Sequence, residues 1–425
     1  MSAVAVAVAV ADEPLVAQDL ERQLTHWLAA ARTFRDAEEF ASLEAWRSVE
    51  RDIGAPLRRS MHAAVEELIS LGEATVSLVA QAKRKHGVNR QAMAAVQQFR
   101  RRFVQVDTTL DFLGDAVNSR TSPRLRAALS ALDELAVASM AAPLKAANKP
   151  VPRALVYQDK GTGASILRAG VRLWAPGTIM PVAAIKIVRH NLYRPTSLFH
   201  ETGHQVAHLT DWVPAMRRSI GEALSSDAEL RAMWAPWASE IAADVFAFLH
   251  TGYASVTALY DVVGDARTIL HWPIGDPHPV GWLRTALGCA FARHCFGPEG
   301  PWNALQGAML AHHPASRAEP TLQPLLVRSM QAMPRLAQAC LEAPVPALGD
   351  RPMTQVLDPA RVSPAALARL EREAGAALWT SLHWRRTEGI RIVALVGLRE
   401  AERPDTAAQW IARARTWLTT ETRAA

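Results

Sequence analysis

The chain has 425 residues and a formal net charge of +6; 49% of its residues are hydrophobic and 21% charged. That length supports two or three cores, and that composition excludes an intrinsically disordered chain. Only six of the 47 basic residues are lysine, a bias that, with the abundant alanine, fits a GC-rich bacterial genome. An excess this small over so long a chain speaks against a nucleic-acid partner.

Cys289, Cys295 and Cys340 make neither a disulfide framework nor a Cys-x-x-Cys knuckle, so a reducing cytoplasm is the expected compartment. The opening Met1–Val10 run is apolar, yet it lacks a basic flank and Asp12 and Glu13 follow it. It is a poor secretory signal, and residues 1–14 are expected to be a flexible tail. No stretch approaches about 18 uninterrupted apolar residues, so no membrane span is expected.

From residue 15 to 147 apolar positions such as Leu20, Leu24, Trp27 and Leu28 recur at helical spacing. Breaks at Gly54-Ala55-Pro56, at His86 to Asn89 and at Asn118 to Pro123 predict about four helices, an N-terminal antiparallel bundle. The clusters Lys83-Arg84-Lys85 and Arg100-Arg101-Arg102 read as a solvated helix face, because residues 1–150 hold 19 basic against 18 acidic side chains. The bundle is also the expected surface for any protein partner.

Asn148 to Pro152 is a stiff linker. Three short β-branched-rich runs follow: Ala154 to Gln158, Val171 to Trp174 and Ala184 to Val188. Gly161-Thr162-Gly163 and Ala175-Pro176-Gly177 separate them as turns; no Gly-Lys-Ser/Thr follows, so Gly161-x-Gly163 is no phosphate loop. Arg194-Pro195 ends the extended part, and Thr196 or Ser197 is expected to cap the next helix. Helical patterns then fill 215–231, 236–250, 253–264, 279–296, 302–312, 320–341, 363–385 and 405–419. Trp379, Trp384, Trp410 and Trp417 are the expected core anchors of a C-terminal helical region, 301–425.

The chemistry sits between these helical regions, in a core expected over 151–300. His200-Glu201-Thr202-Gly203-His204 reads H-E-x-x-H. On a helix, i,i+4 spacing puts both imidazoles on one face, where they can share a zinc ion with Glu201 beside it. Catalytic zinc takes a third protein ligand. The metzincin pattern would need Gly at 207 and His at 210; Ala207 and Thr210 exclude it. Downstream, Glu240 and Asp244 are again i,i+4, in an otherwise apolar helix where unpaired acids are costly. Glu240 as third ligand, with Asp244 hydrogen-bonded to a ligating histidine, would meet that cost. A third element, His278-Pro279-x-x-x-x-Arg284 with x at 280–283, opens a further helix.

Together these three elements resemble the gluzincin metallopeptidases of the heat-shock membrane protease and CAAX prenyl endopeptidase group, which show H-E-x-x-H, E-x-x-A-D and H-P-x-x-x-x-R in this order. The match covers about 85 residues and the preceding strands; this chain lacks the group's transmembrane helices, and its flanking helical regions have no counterpart there. His200-Glu201-x-Gly203-His204-x-x-x-His208 with Glu240-x-x-Ala243-x-x-Phe246-Ala247 also looks like soluble peptidases that cleave phage or stress repressors, which lack the third element.

The resemblance implies a zincin-like core with His200, His204 and Glu240 on zinc, Glu201 as general base on a zinc-bound water, and Asp244 orienting His200. It implies that His278 or Arg284 stabilises the oxyanion or holds the Glu240 helix, with Tyr253 or Tyr260 as alternatives for the oxyanion. An extended peptide is expected to add along the strand Ala184 to Val188. His208 is expected to cap or pack rather than bind metal, and Cys289 and Cys295 to be core residues. The whole is expected to be mainly α with a small β-sheet (α+β). Its expected activity is that of a zinc metalloendopeptidase acting on a protein or peptide; a non-cleaving metal-binding scaffold or interaction protein on a zincin fold, or a repressor-cleaving regulatory peptidase, is the alternative.

Overall fold

The structure is a computed structural model describing residues 13–84, 89–161, 163–170, 180–273 and 276–420. It is mainly helical, at 75%, with one small three-stranded sheet. Two compact units form: Met1–Thr121 with Gly170–Pro181, and Ser122–Ala169 with Val182–Ala425.

The first unit contains α1 (Glu13–Thr33), α2 (Leu43–Val49), α3 (Ala55–Arg84) and α4 (Asn89–Asn118). Leu20, Leu24 and Leu28 form the buried stripe of α1, which packs against α3 and α4, where Leu68, Ile69, Phe99 and Val106 are also buried. The expected break at Gly54 to Pro56 is instead a π-helical turn, Glu50–Gly54, that leads straight into α3. The helical path is continuous from α2 through this turn, and Pro56, whose missing N–H and ring disturb an α-helical ladder, follows the π turn directly. Lys83 pairs with Glu21, and Arg100 lies over the Trp27 ring. Lys85, the break residues His86 to Val88 and nearly all of the N-terminal tail lie outside the described residues.

The second unit opens with α5 (Pro123–Ala146), the last helix of the expected bundle, so the division falls at Ser122 rather than at 147. The reason is packing: Leu129, Leu132, Met140 and Leu144 of α5 belong to the core that also takes in the sheet. Among the described residues α5 is the one helix long and apolar enough to cross a bilayer by length and composition, and 56% of its most apolar window is buried inside the fold.

The sheet has β1 (Ala154–Gln158), β2 (Ser165–Leu167) and β3 (Ala183–Ile187), in the order β1-β3-β2. β1 runs parallel to β3, with Val156 opposite Ile185; β2 runs antiparallel, with Ile166 opposite the same Ile185. This overturns the expectation that Ala184 to Val188 is an edge. Among the described residues β3 is paired on both sides, and β1 and β2 are the outer strands. The expected strand Val171 to Trp174, the turn Ala175 to Gly177 and Thr162 lie outside the described residues.

The remaining helices are α6 (Thr196–Leu209), α7 (Trp212–Ala223), α8 (Ala228–Trp234), α9 (Ala238–Thr251), α10 (Tyr253–Val263), α11 (Gly281–Phe296), α12 (Pro301–His312), α13 (Gln323–Leu341), α14 (Pro364–Ala374), α15 (Ala377–Thr380), α16 (Leu382–Glu402) and α17 (Ala407–Thr419). The segment expected as one helix over 215–231 is two, because Asp227 accepts the N–H of Leu230 and starts a new helix, α8. The one expected over 363–385 stops at Gly375, whose φ of +52° favours glycine, and α16 then continues to Glu402. Trp410 and Trp417 are buried, while Trp379 and Trp384 are half-buried.

Candidate metal centre

α6 follows the sheet directly and carries the H-E-x-x-H residues. Pro195 takes the cap position, and neither the Thr196 nor the Ser197 hydroxyl bonds a helix N–H, so the expected side-chain cap is not formed. α6 is held at both faces. Gln205 accepts the N–H of Ala169 at 2.8 Å and donates to its carbonyl at 3.3 Å, tying the chain just after β2 to α6. On another face Gly203 meets α9: a Cβ there would lie 3.0 Å from Ala243 Cα and 3.0 Å from Phe246 Cβ. The missing side chain lets the two helices approach closely enough to face their polar residues together.

That approach brings His200, His204 and Glu240 into one group. His200 Nε2 lies 3.1 Å from His204 Nε2 and 3.4 Å from Glu240 Oε2, and His204 Nε2 lies 3.3 Å from Glu240 Oε1. Four-coordinate binding with bonds of about 2.0–2.2 Å sets donor atoms about 3.4 Å apart. The imidazole pair lies close to that edge length, each imidazole faces a different oxygen of the Glu240 carboxylate, and one donor atom from each residue lies within 4.8 Å of the others, so these residues can be drawn onto one metal ion.

The outer nitrogens of both imidazoles are engaged. His200 Nδ1 donates to Asp244 Oδ1 at 2.9 Å, and His204 Nδ1 is 3.4 Å from the Ser239 hydroxyl. Arg284, on α11, donates to both oxygens of Asp244, at 2.5 and 2.8 Å, and to Glu240 Oε2 at 3.2 Å. Only 8% of Arg284 is exposed, which makes the ion pairs necessary: a buried guanidinium without anions is costly. Burial works against charge on His200, but hydrogen bonds to Asp244 and Glu240 outweigh it and raise its pKa to about 10. Burial likewise opposes charge on Glu240 and Asp244, yet the His200 and Arg284 partners hold both below the usual carboxylate range. Glu201 differs: it is buried, and burial pushes its carboxyl up.

Neither a family model, a curated protein nor a solved structure matches this chain.

All these groups line one cleft of about 790 Å3, together with Ser165 and Ile166 of β2, His278 and Arg168. His278 is at its exposed rim, with Nδ1 donating to Asp276 at 2.9 Å. Arg284 is deep and bonded to the ligand-bearing helix. Tyr253 and Tyr260 do not line the cleft; the Tyr253 hydroxyl donates to the Pro301 carbonyl. Thr210 donates to the Val206 carbonyl within its own helix, and His208 is exposed at the last turn of α6. Ser239 was missed by sequence reasoning, and its position immediately before Glu240 was the signal available.

Proposed function

We propose that this chain is a zinc-dependent metallopeptidase hydrolysing peptide bonds of a protein or peptide substrate. The observation that carries this reading is the 3.1–3.4 Å spacing of the His200, His204 and Glu240 donor atoms, with Glu201 beside them in the same cleft. Two imidazoles and one carboxylate form a donor set that leaves a fourth position for water or substrate. When bound there, zinc supplies Lewis acidity, lowering the pKa of water and polarising the scissile carbonyl.

The chain's own residues do the rest. Glu201 takes the proton of the attacking water and hands it to the leaving amine, and its raised pKa brings it closer to neutral pH, where such transfer works best. Asp244 and Ser239 fix the two imidazoles so that both Nε2 atoms face the metal position. Arg284 balances Asp244 and Glu240 and so holds α9 in place. His278, its Nδ1 donating to Asp276, is the rim group that in its imidazolium form donates from Nε2 to the developing oxyanion. The outer edge of β2 receives an extended peptide by backbone hydrogen bonding. The order of the three motifs, resembling the gluzincin group, supports the same chemistry.

The test is cleavage of a proteome-derived peptide mixture by zinc-loaded protein. New peptides are expected from the wild type, with a loss of about 100-fold or more in Glu201→Gln and with chelator. Bound zinc without cleavage would favour a non-cleaving scaffold; equal cleavage by Glu201→Gln would remove the mechanism.

A further inference from the structure

A second cavity, of about 640 Å3, opens in the same unit between α5, the C-terminal end of α9, α16 and α17. Small-molecule sites are typically about 300–1,000 Å3. One wall is the α5 face Ala131, Leu135, Ala138 and Ala142, joined by Leu249 and Ile390. Those side chains offer only methyl and methylene groups.

The charged groups come from elsewhere, and three of them answer one another. Arg361 and Arg391 both donate to Glu388, at 3.3 and 2.9 Å, and Asp358 accepts the Ala360 N–H at 2.9 Å. Arg385 is different. It is half-buried, and its guanidinium donates to a neutral group, the Thr420 carbonyl, at 2.7 Å. Burial presses its pKa down; the exposed Glu134 opposes this only in part, and neighbouring Arg386 adds to it. Among the described residues no carboxylate forms an ion pair with Arg385; partial burial of a cation in that state is unfavourable, and a carboxylate matches the guanidinium in both charge and fork geometry.

We infer that this cavity binds a monocarboxylate with an apolar chain, of the fatty-acid kind, its carboxylate on Arg385 and its chain along the α5 wall. The inference does not depend on the metal site. Calorimetric titration of the full chain with octanoate, 1-octanol and inorganic phosphate tests it. Saturable 1:1 octanoate binding is expected, with octanol and phosphate each weaker by at least about tenfold. Arg385→Met should lower octanoate affinity by at least about tenfold, and Arg385→Lys by less. Ala138→Leu, which fills the apolar wall without touching the charge, should also weaken it, and covers the case in which Arg385→Met does not fold. No saturable octanoate binding, equal binding of octanol or phosphate, or undiminished binding in Arg385→Met or Ala138→Leu would overturn the proposal.

Discussion

His200 and Asp244 share a 2.9 Å hydrogen bond from Nδ1 to Oδ1, and Arg284 grips the same carboxylate from α11. A carboxylate behind the outer nitrogen fixes the imidazole tautomer and strengthens Nε2 as a donor to metal. Asp244→Asn is therefore expected to weaken metal binding by about 10–100-fold. Chelator competition on folded protein measures this. Unchanged affinity would show that His200 needs no such partner.

Metal binding should also release protons. Burial opposes it, but Asp244 and Glu240 raise the His200 pKa to about 10, so the metal-free protein holds a proton on this ring at pH 7. A metal ion must displace it. Affinity is expected to rise with pH up to about 10, by about tenfold per unit from this group. Calorimetry in buffers of different ionisation enthalpy should return at least one proton per ion at pH 7, and a value of zero would contradict the His200 assignment.

The close approach at Gly203 can be tested independently of the chemistry. A side chain there starts 3.0 Å from both Ala243 Cα and Phe246 Cβ, so α6 and α9 must separate to admit it. Gly203→Val is expected to destabilise the fold by about 1–3 kcal/mol and to weaken metal binding at the same time. Urea unfolding and metal titration on one sample read both. Loss of stability with intact metal affinity would uncouple Gly203 from the site.

His250 sets a second pH dependence. It is buried, its Nε2 lies 3.1 Å from the Ser139 carbonyl, and burial lowers its pKa to about 4, against a partial opposing effect of that bond. The folded state disfavours its charged form, so stability is flat above about pH 6.5 and falls as pH drops toward about 4. The loss from this group is expected to be roughly 3 kcal/mol across that window. His250→Gln, which keeps a donor but does not titrate, should give a shallower slope in denaturation at pH 7 and pH 4.5. An unchanged slope would assign the acid sensitivity elsewhere.

What could be read in the sequence is what short-range spacing encodes. His200 with His204, and Glu240 with Asp244, are i,i+4 pairs whose faces follow from helix geometry. Arg284 was found through its own motif, and the structure puts it against both acids. Strand order is not local. β3 looked like an edge because its neighbours lie far away in sequence, and β2, three residues long, has no periodicity to detect until β3 pairs with it. The division at Ser122 is equally hidden, since α5 has the same apolar recurrence as α1–α4 and only packing decides which core takes it. Ser239 carries no spacing signature beyond standing next to Glu240.

The central claim is that His200, His204 and Glu240 together hold one metal ion. The direct measurement is elemental analysis of protein loaded with zinc and desalted, comparing the wild type with His204→Ala and Glu240→Ala, each confirmed folded by circular dichroism. About one zinc per chain is expected in the wild type, and a small fraction of that in either variant. Absence of zinc from the folded wild type, or full retention in both variants, would contradict it.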